Sequence, residues 1–199
     1  ISKVGNRQFK GDLVKITTPS GKSSSYTPNH ICVARLDVDL TDGNYITYIM
    51  RKDNKFRIGS TQFHRRRSNQ RPESKQLGLL LRAKEQLADA IWALSVHETK
   101  NEALDEEQWI SYNFGIPTWS FPETRSTTSA PRTPIYSSLW NKVGDLTIEA
   151  DECLSHYGRS LEHPFWKPSD PKGYLKKYSF INACNLMNGM LVCEPKSGT

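Results

Sequence analysis

The chain has 199 residues, of which 36% are hydrophobic, with a mean hydropathy of −0.63 and a formal charge of +6. That length admits one ordinary domain or two small ones, and the polarity fits two modest cores better than one large core. No run approaches the roughly 18 apolar residues of a membrane span and no secretory signal opens the sequence, so the expectation is a cytoplasmic protein with no membrane partner.

Residues 1–41 read as all-β. DLVKITTP alternates, a Ser-Gly-Lys turn follows, and SSSYTPNHICVARLDV continues the pattern. Residues 43–60 read as two short strands joined by a tight turn at Asp53-Asn54-Lys55. From Leu77 to Val96 the apolar residues Leu77, Leu80, Leu81, Leu87, Ala88, Ile91 and Leu94 recur at three- and four-residue spacing, which predicts one amphipathic helix. A second helix is predicted from an Asn101 cap, through EALDEEQWISYNF, to a stop before Gly115-Ile116-Pro117. Residues 118–134 are rich in Ser, Thr and Pro and read as a linker, 135–165 as mostly helical, and YSFINACNLMNGMLVCEP as a return to β structure. The order predicts an α+β chain in which a mixed domain interrupts a β domain.

Charge and thiols narrow the chemistry. Residues 65–84 carry Arg65, Arg66, Arg67, Arg71, Lys75, Arg82 and Lys84 against Glu73 alone, in a chain of pI near 9.1. Such a local excess suggests a phosphate-facing surface. Cys32, Cys153, Cys184 and Cys193 form no C-x-x-C pair, and most have apolar neighbours. They predict small core residues in a reducing compartment, with no zinc.

The middle of the chain carries a constellation. Gly43-Asn44-Tyr45 is followed after eleven residues by Arg57-Ile58-Gly59, then by Arg66, and later by Glu106 within LDEEQWI. This order resembles the GIY-YIG nuclease family over residues 43 to about 121. The resemblance implies hydrolysis of a DNA phosphodiester with Mg²⁺ (or Mn²⁺) held by one glutamate, a tyrosine that positions and deprotonates water, and an arginine on the phosphate. It assigns catalytic roles to Tyr45, Arg66 and Glu106, with Glu106 as metal ligand and favoured over Glu107. Arg57 stands where the family has a second tyrosine, so Tyr48 is a further candidate. Gln70 stands where a histidine is often found, His64 is the substitute, and Asn113 is a weak counterpart of a late asparagine. Arg65, Arg67, Arg71, Lys75, Lys172, Lys176 and Lys177 are the expected DNA contacts.

The flanks carry a second resemblance, to the Hint fold of inteins. Thr27-Pro28-Asn29-His30 matches the T-x-x-H motif in which threonine and histidine polarise a splice-junction peptide bond. Ala183, Leu186, Gly189, Met190 and Val192 match the strand that resumes after an inserted endonuclease. The implied organisation is a Hint-like β segment at 1–41, a GIY-YIG-like small mixed sheet with helices at 42–121, a linker and helical DNA-recognition region at 122–174, and a second Hint-like segment at 175–199.

Together these imply a homing endonuclease embedded in an intein. Its partners would be double-stranded DNA and remaining intein segments, in a bacterial or phage-encoded host. The sequence shows no Cys or Ser splicing nucleophile at residue 1 and no terminal His-Asn, so the chain is expected to be part of a longer or split intein. The alternatives are a catalytically decayed DNA-binding module and a splicing-only protein whose insert is a spacer.

Overall fold

The computed structural model describes residues 8–65, 76–122, 133–170 and 177–193. Arg66, Arg67, Arg71, Lys75, Lys172 and Lys176 lie outside them. The first hairpin pairs β1 (Val14–Thr17) with β2 (Ser23–Tyr26) in antiparallel register. β3 (Ile31–Leu36) follows, then the single turn α1 (Val38–Thr41), where the Asp37 carboxylate accepts from the backbone N–H groups of Asp39 and Leu40. No helix among the described residues is long and apolar enough to cross a membrane.

β4 (Tyr45–Lys52) and β5 (Lys55–Gln62) form the long hairpin that the sequence predicts. Asp53 and Asn54 take positive φ angles of 49° and 60° between the pair Lys52 and Lys55. A two-residue turn of this hand follows the twist of the strands, and Asp and Asn tolerate it better than most residues. Two short strands, β6 (His64–Arg65) and β7 (Gln76–Leu77), pair next and lead into α2 (Gly78–Glu85).

The single helix predicted over 77–96 is two elements. α2 stops at Glu85, Leu87 takes a left-handed turn at φ 53°, and Ala90–His97 is a strand, β8. The first five residues of β8, from Ala90 to Leu94, are all buried. A strand covered on both faces loses its alternation, and its apolar run then imitates a helical stripe. The sheet order is β5-β4-β8, all antiparallel, and β8 gains a further neighbour where Ile91 bridges Trp166. α3 (Lys100–Phe114) begins two residues earlier than an Asn101 cap implies. Thr99 is its cap, in a reciprocal capping box with Glu102. It ends at Gly115 in the left-handed conformation.

The segment after Gly115 turns back along the sheet, where Ile58 N–H donates to the Pro117 carbonyl at 2.9 Å. α4 (Thr133–Trp140) and α5 (Thr147–His156) follow, and Ala150, Cys153 and Leu154 of α5 enter the core. Cys184 is buried too, whereas Cys32 is half-buried and Cys193 exposed, so the thiols divide between core and surface.

The tail then rejoins the start of the chain. β9 (Ser179–Asn182) and β10 (Met190–Val192), separated by a 3-10 turn at Ala183–Asn185, pair on either side of β3. In chain order the described elements from α1 to α5 therefore fall between β3 and β9, which pair with each other. Thr27-Pro28-Asn29-His30 joins the same unit: Ala183 N–H donates to the His30 carbonyl at 2.8 Å and Cys184 N–H to that of Pro28 at 3.1 Å.

Arg159 links this unit to the central sheet. Its Nε donates to the Ala93 carbonyl of β8 at 2.9 Å, and its Nη1 to the carbonyls of Cys184 and Leu186 in the tail. Burial lowers its pKa, so the charge is held in place by these carbonyl dipoles. Removing it leaves the three carbonyls without this donor. Arg159→Met is therefore expected to lower unfolding free energy by roughly 3 kcal/mol in a denaturant titration; an unchanged midpoint would contradict the linking role.

Candidate active site

Residues directly opposite each other in an antiparallel pair share a face. Tyr48 opposes Gly59, Met50 opposes Arg57, and Ile46 opposes Thr61, so these six line one side of the central sheet. Thr47 with Ser60 and Ile49 with Ile58 line the other. α2 lies over the first side, where a Cβ built at Gly78 would stand 3.1 Å from the Thr61 side chain. α3 lies over the second, where the Thr47 hydroxyl donates to the Ala103 carbonyl at 3.3 Å.

The phenol of Tyr48 occupies the space that a side chain at Gly59 would need. A Cβ there would lie 2.6 Å from the Tyr48 hydroxyl oxygen and 2.7 Å from Cζ. Tyr48 is only 1% exposed. Burial pushes its pKa up, the guanidinium groups of Arg57 and Arg82 act against that rise, and Glu107 and Glu85 add to it. Two cations and two carboxylates thus act on one buried phenol.

Each of these groups has an identifiable support. Arg57 is 8% exposed and donates from Nη2 to the Thr118 carbonyl at 2.6 Å. Arg82 of α2 donates to Glu85 at 3.0 Å, and Glu85 also lies 3.9 Å from Arg65. Glu107 sits on the stripe of α3 that carries Ala103 and Ile110, both fully buried, and its Oε2 accepts from the Ser60 hydroxyl at 2.6 Å. Ser60 directly follows Gly59, so strand and helix meet here through one hydrogen bond. β8 is irregular at the same level: Thr47 pairs with Ser95 and Tyr48 with Ala93, leaving Leu94 as a bulge.

The other predicted residues are distributed more widely. Glu106, favoured from sequence as metal ligand, accepts from the Tyr157 phenol beside α5. Burial and Glu106 together raise the Tyr157 phenol far above its ordinary value and push the Cys153 thiol up to about 12. Tyr45 is half-buried at the end of the sheet, opposite Gln62 and His97 and not Gly59. His64 is buried with Nε2 at 2.6 Å from the Thr41 hydroxyl, a place in the packing and not in the cluster. Asn113 donates to the Trp109 carbonyl within its own helix. Arg66 lies outside the described residues.

The flank residues are apart from this cluster. The Thr27 hydroxyl donates to Asn29 Oδ1 at 2.8 Å, and the His30 ring stacks on Tyr26 with centroids 4.6 Å apart. His30 lines a cavity of about 300 Å³ with Tyr26, Cys32 and Cys193. Lys177 is exposed just before β9.

Sequence reasoning named Arg82 only within the basic run of residues 65–84 and did not single out Ser60. Ser60 follows from Gly59 by adjacency, whereas the nearness of Arg82 depends on how α2 crosses the sheet. Among the described residues no group of three or more His, Cys, Asp or Glu side chains gathers. Comparison with protein-family models, curated proteins and solved structures finds no match to this chain.

The close approach of Tyr48 to Gly59 makes a direct prediction. Gly59→Ala overpacks this point and is expected to cost about 1–3 kcal/mol in unfolding free energy. In a Tyr48→Ala background the same change should cost little or nothing, because the clash has gone. Equal costs in the two backgrounds, measured by urea unfolding, would refute the contact.

Proposed function

We propose that the chain is a divalent-metal-dependent DNA endonuclease of the GIY-YIG type, set within Hint-like β segments. The observation that carries this reading is the phenol of Tyr48 seated on Gly59, with Arg57, Arg82 and Glu107 acting on it. The antiparallel hairpin with its tyrosines and Gly59, and later α3 with its carboxylates, carry three of the four sequence motifs in order, which supports this reading. The pairing of β3 with both tail strands supports the idea of an insert within a β unit.

In this reading the tyrosine is Tyr48 and the glutamate is Glu107. Hydrolysis joins a water oxygen to phosphorus, breaks the bond to the 3′ oxygen, and leaves a 3′ hydroxyl and a 5′ phosphate. Tyr48 orients the water and, in its phenolate form, accepts its proton. The raised phenol keeps it neutral at neutral pH, so the base form grows and cleavage quickens as pH rises into the alkaline range.

Glu107 suits Mg²⁺ on the chemistry of its donors. Its Oε2 is fixed by Ser60, its Oε1 has no protein partner among the described residues, and Mg²⁺ commonly takes one or two carboxylates with water and phosphate oxygens. When bound, the ion would neutralise charge on the phosphate and the departing oxygen. Glu106, already accepting from Tyr157, is a structural residue in this account.

The test uses a supercoiled plasmid carrying the uninterrupted insertion site. Mg²⁺-dependent nicking is expected, with Glu107→Ala lowering the rate at least a hundredfold and Glu106→Ala retaining most of it at temperatures where that variant is folded. The opposite ranking would return the metal to Glu106.

One observation favours a second reading, a DNA-binding module without catalysis. Tyr48 is nearly inaccessible and Arg57 takes the place of a second phenol. That reading predicts salt-dependent DNA binding with no cleavage in Mg²⁺ or Mn²⁺.

A further inference from the structure

We propose that the cavity between the loop after α5 and the strand β9 is a binding site for a guanidinium group. None of its residues belongs to the cluster around Tyr48, so the site is independent of the nuclease reading.

The cavity measures about 290 Å³, with Glu162, His163 and Asp170 on the loop side and Phe180, Asn182 and Asn185 on the other. Asn185, at the end of the 3-10 turn after β9, is only 6% exposed. Its Nδ2 donates to the Pro164 carbonyl at 3.1 Å. A carbonyl can only accept, so this bond decides which end of the amide is nitrogen. Oδ1 is then the end without a protein partner among the described residues, in the wall of the cavity. A buried amide oxygen left without a donor is costly, and an N–H group satisfies it.

The charges on the wall give the donor its sign. Asp170 is fixed by a tight turn: its Oδ2 accepts from the Lys167 backbone N–H at 2.9 Å, and its own N–H donates to the Lys167 carbonyl at 2.9 Å. Its second oxygen and both oxygens of Glu162 have no partner among the described residues. Glu162 and Asp170 against Lys167 leave one negative charge, which matches a monocation, while the Lys167 ammonium opposes a compact divalent ion. The acceptors sit on different sides: an amide oxygen on the tail, carboxylates on the loop. A guanidinium offers five N–H groups in one plane and is more weakly hydrated than an ammonium. Phe180, 76% exposed, adds an aromatic face on which a planar cation can lie.

The test reads the Asn185 side-chain NH₂ resonances of the ¹⁵N-labelled full chain. The protein is titrated with methylguanidinium chloride and, at matched ionic strength, with butylammonium, sodium and magnesium chlorides. The expected result is a saturable shift with methylguanidinium at a lower midpoint than with butylammonium, and none with sodium. Glu162 and Lys167 are both exposed, so their variants retain the fold. Glu162→Gln should weaken the methylguanidinium midpoint severalfold, and Lys167→Gln should tighten it severalfold. Resonances that stay still, that shift equally with sodium, or that answer to magnesium at the lower concentration overturn the proposal. So does a midpoint indifferent to both variants, or tighter binding of butylammonium. Agmatine and the blocked peptide acetyl-Gly-Arg-Gly-amide then separate a free small molecule from an arginine presented by another chain; saturation by either upholds the site, and failure of both overturns it.

Discussion

The packing of the Tyr48 ring onto the bare backbone of Gly59 is the constraint on which the central sheet depends. It requires one pairing register between β4 and β5, because a slip of one residue would send Tyr48 to the other face and bring a side chain beneath it. The register is set four pairs away, at Lys52 and Lys55, where Asp53 and Asn54 turn the hairpin. A local turn preference thus determines which side chains meet Arg57, and through α2 and α3 which meet Arg82 and Glu107. Burial of the phenol and the charges around it are consequences of the same alignment.

A second constraint holds this unit in place. β3 lies between β9 and β10, so the two ends of the central stretch leave from one small sheet. Arg159 binds carbonyls of β8 and the tail together, and the Asn185 side chain donates to the Pro164 carbonyl at 3.1 Å. Trp166 continues the central sheet beyond β8, while the Trp92 indole donates to the Ser160 carbonyl at 2.9 Å. The segment after α5 therefore serves both units, which explains why a stretch of low periodicity contains buried aromatics such as Phe165 and Trp166.

Much of this was legible in the sequence, and the failures have physical causes. The hairpin, its turn and α3 follow from local chemistry, and the β character of both flanks follows from composition. The helix predicted over 77–96 fails because Ala90–Leu94 is buried on both faces and shows no alternation. Tyr45 and Tyr48 are indistinguishable by motif spacing; only the pairing shows that Tyr48 is the residue opposite Gly59. Glu106 and Glu107 are neighbours that motif spacing does not separate: Trp109, three residues after Glu106, is 44% exposed, while Ala103 and Ile110 on the stripe of Glu107 are fully buried. Adjacent residues on a helix point about 100° apart, so the packing of α3 and not motif spacing distinguishes the two.

The account assigns the chemistry to one phenol out of two in a single strand, and that assignment has a direct measurement. The Mg²⁺-dependent nicking rate of Tyr48→Phe is compared with that of Tyr45→Phe on the same plasmid, with folding of both variants checked by thermal unfolding. Removal of the hydroxyl at Tyr48 should reduce the rate by at least a hundredfold, while Tyr45→Phe should stay within a few-fold of the parent chain. A Tyr48→Phe protein that cuts at the parent rate, beside a Tyr45→Phe protein that does not cut, would contradict the account.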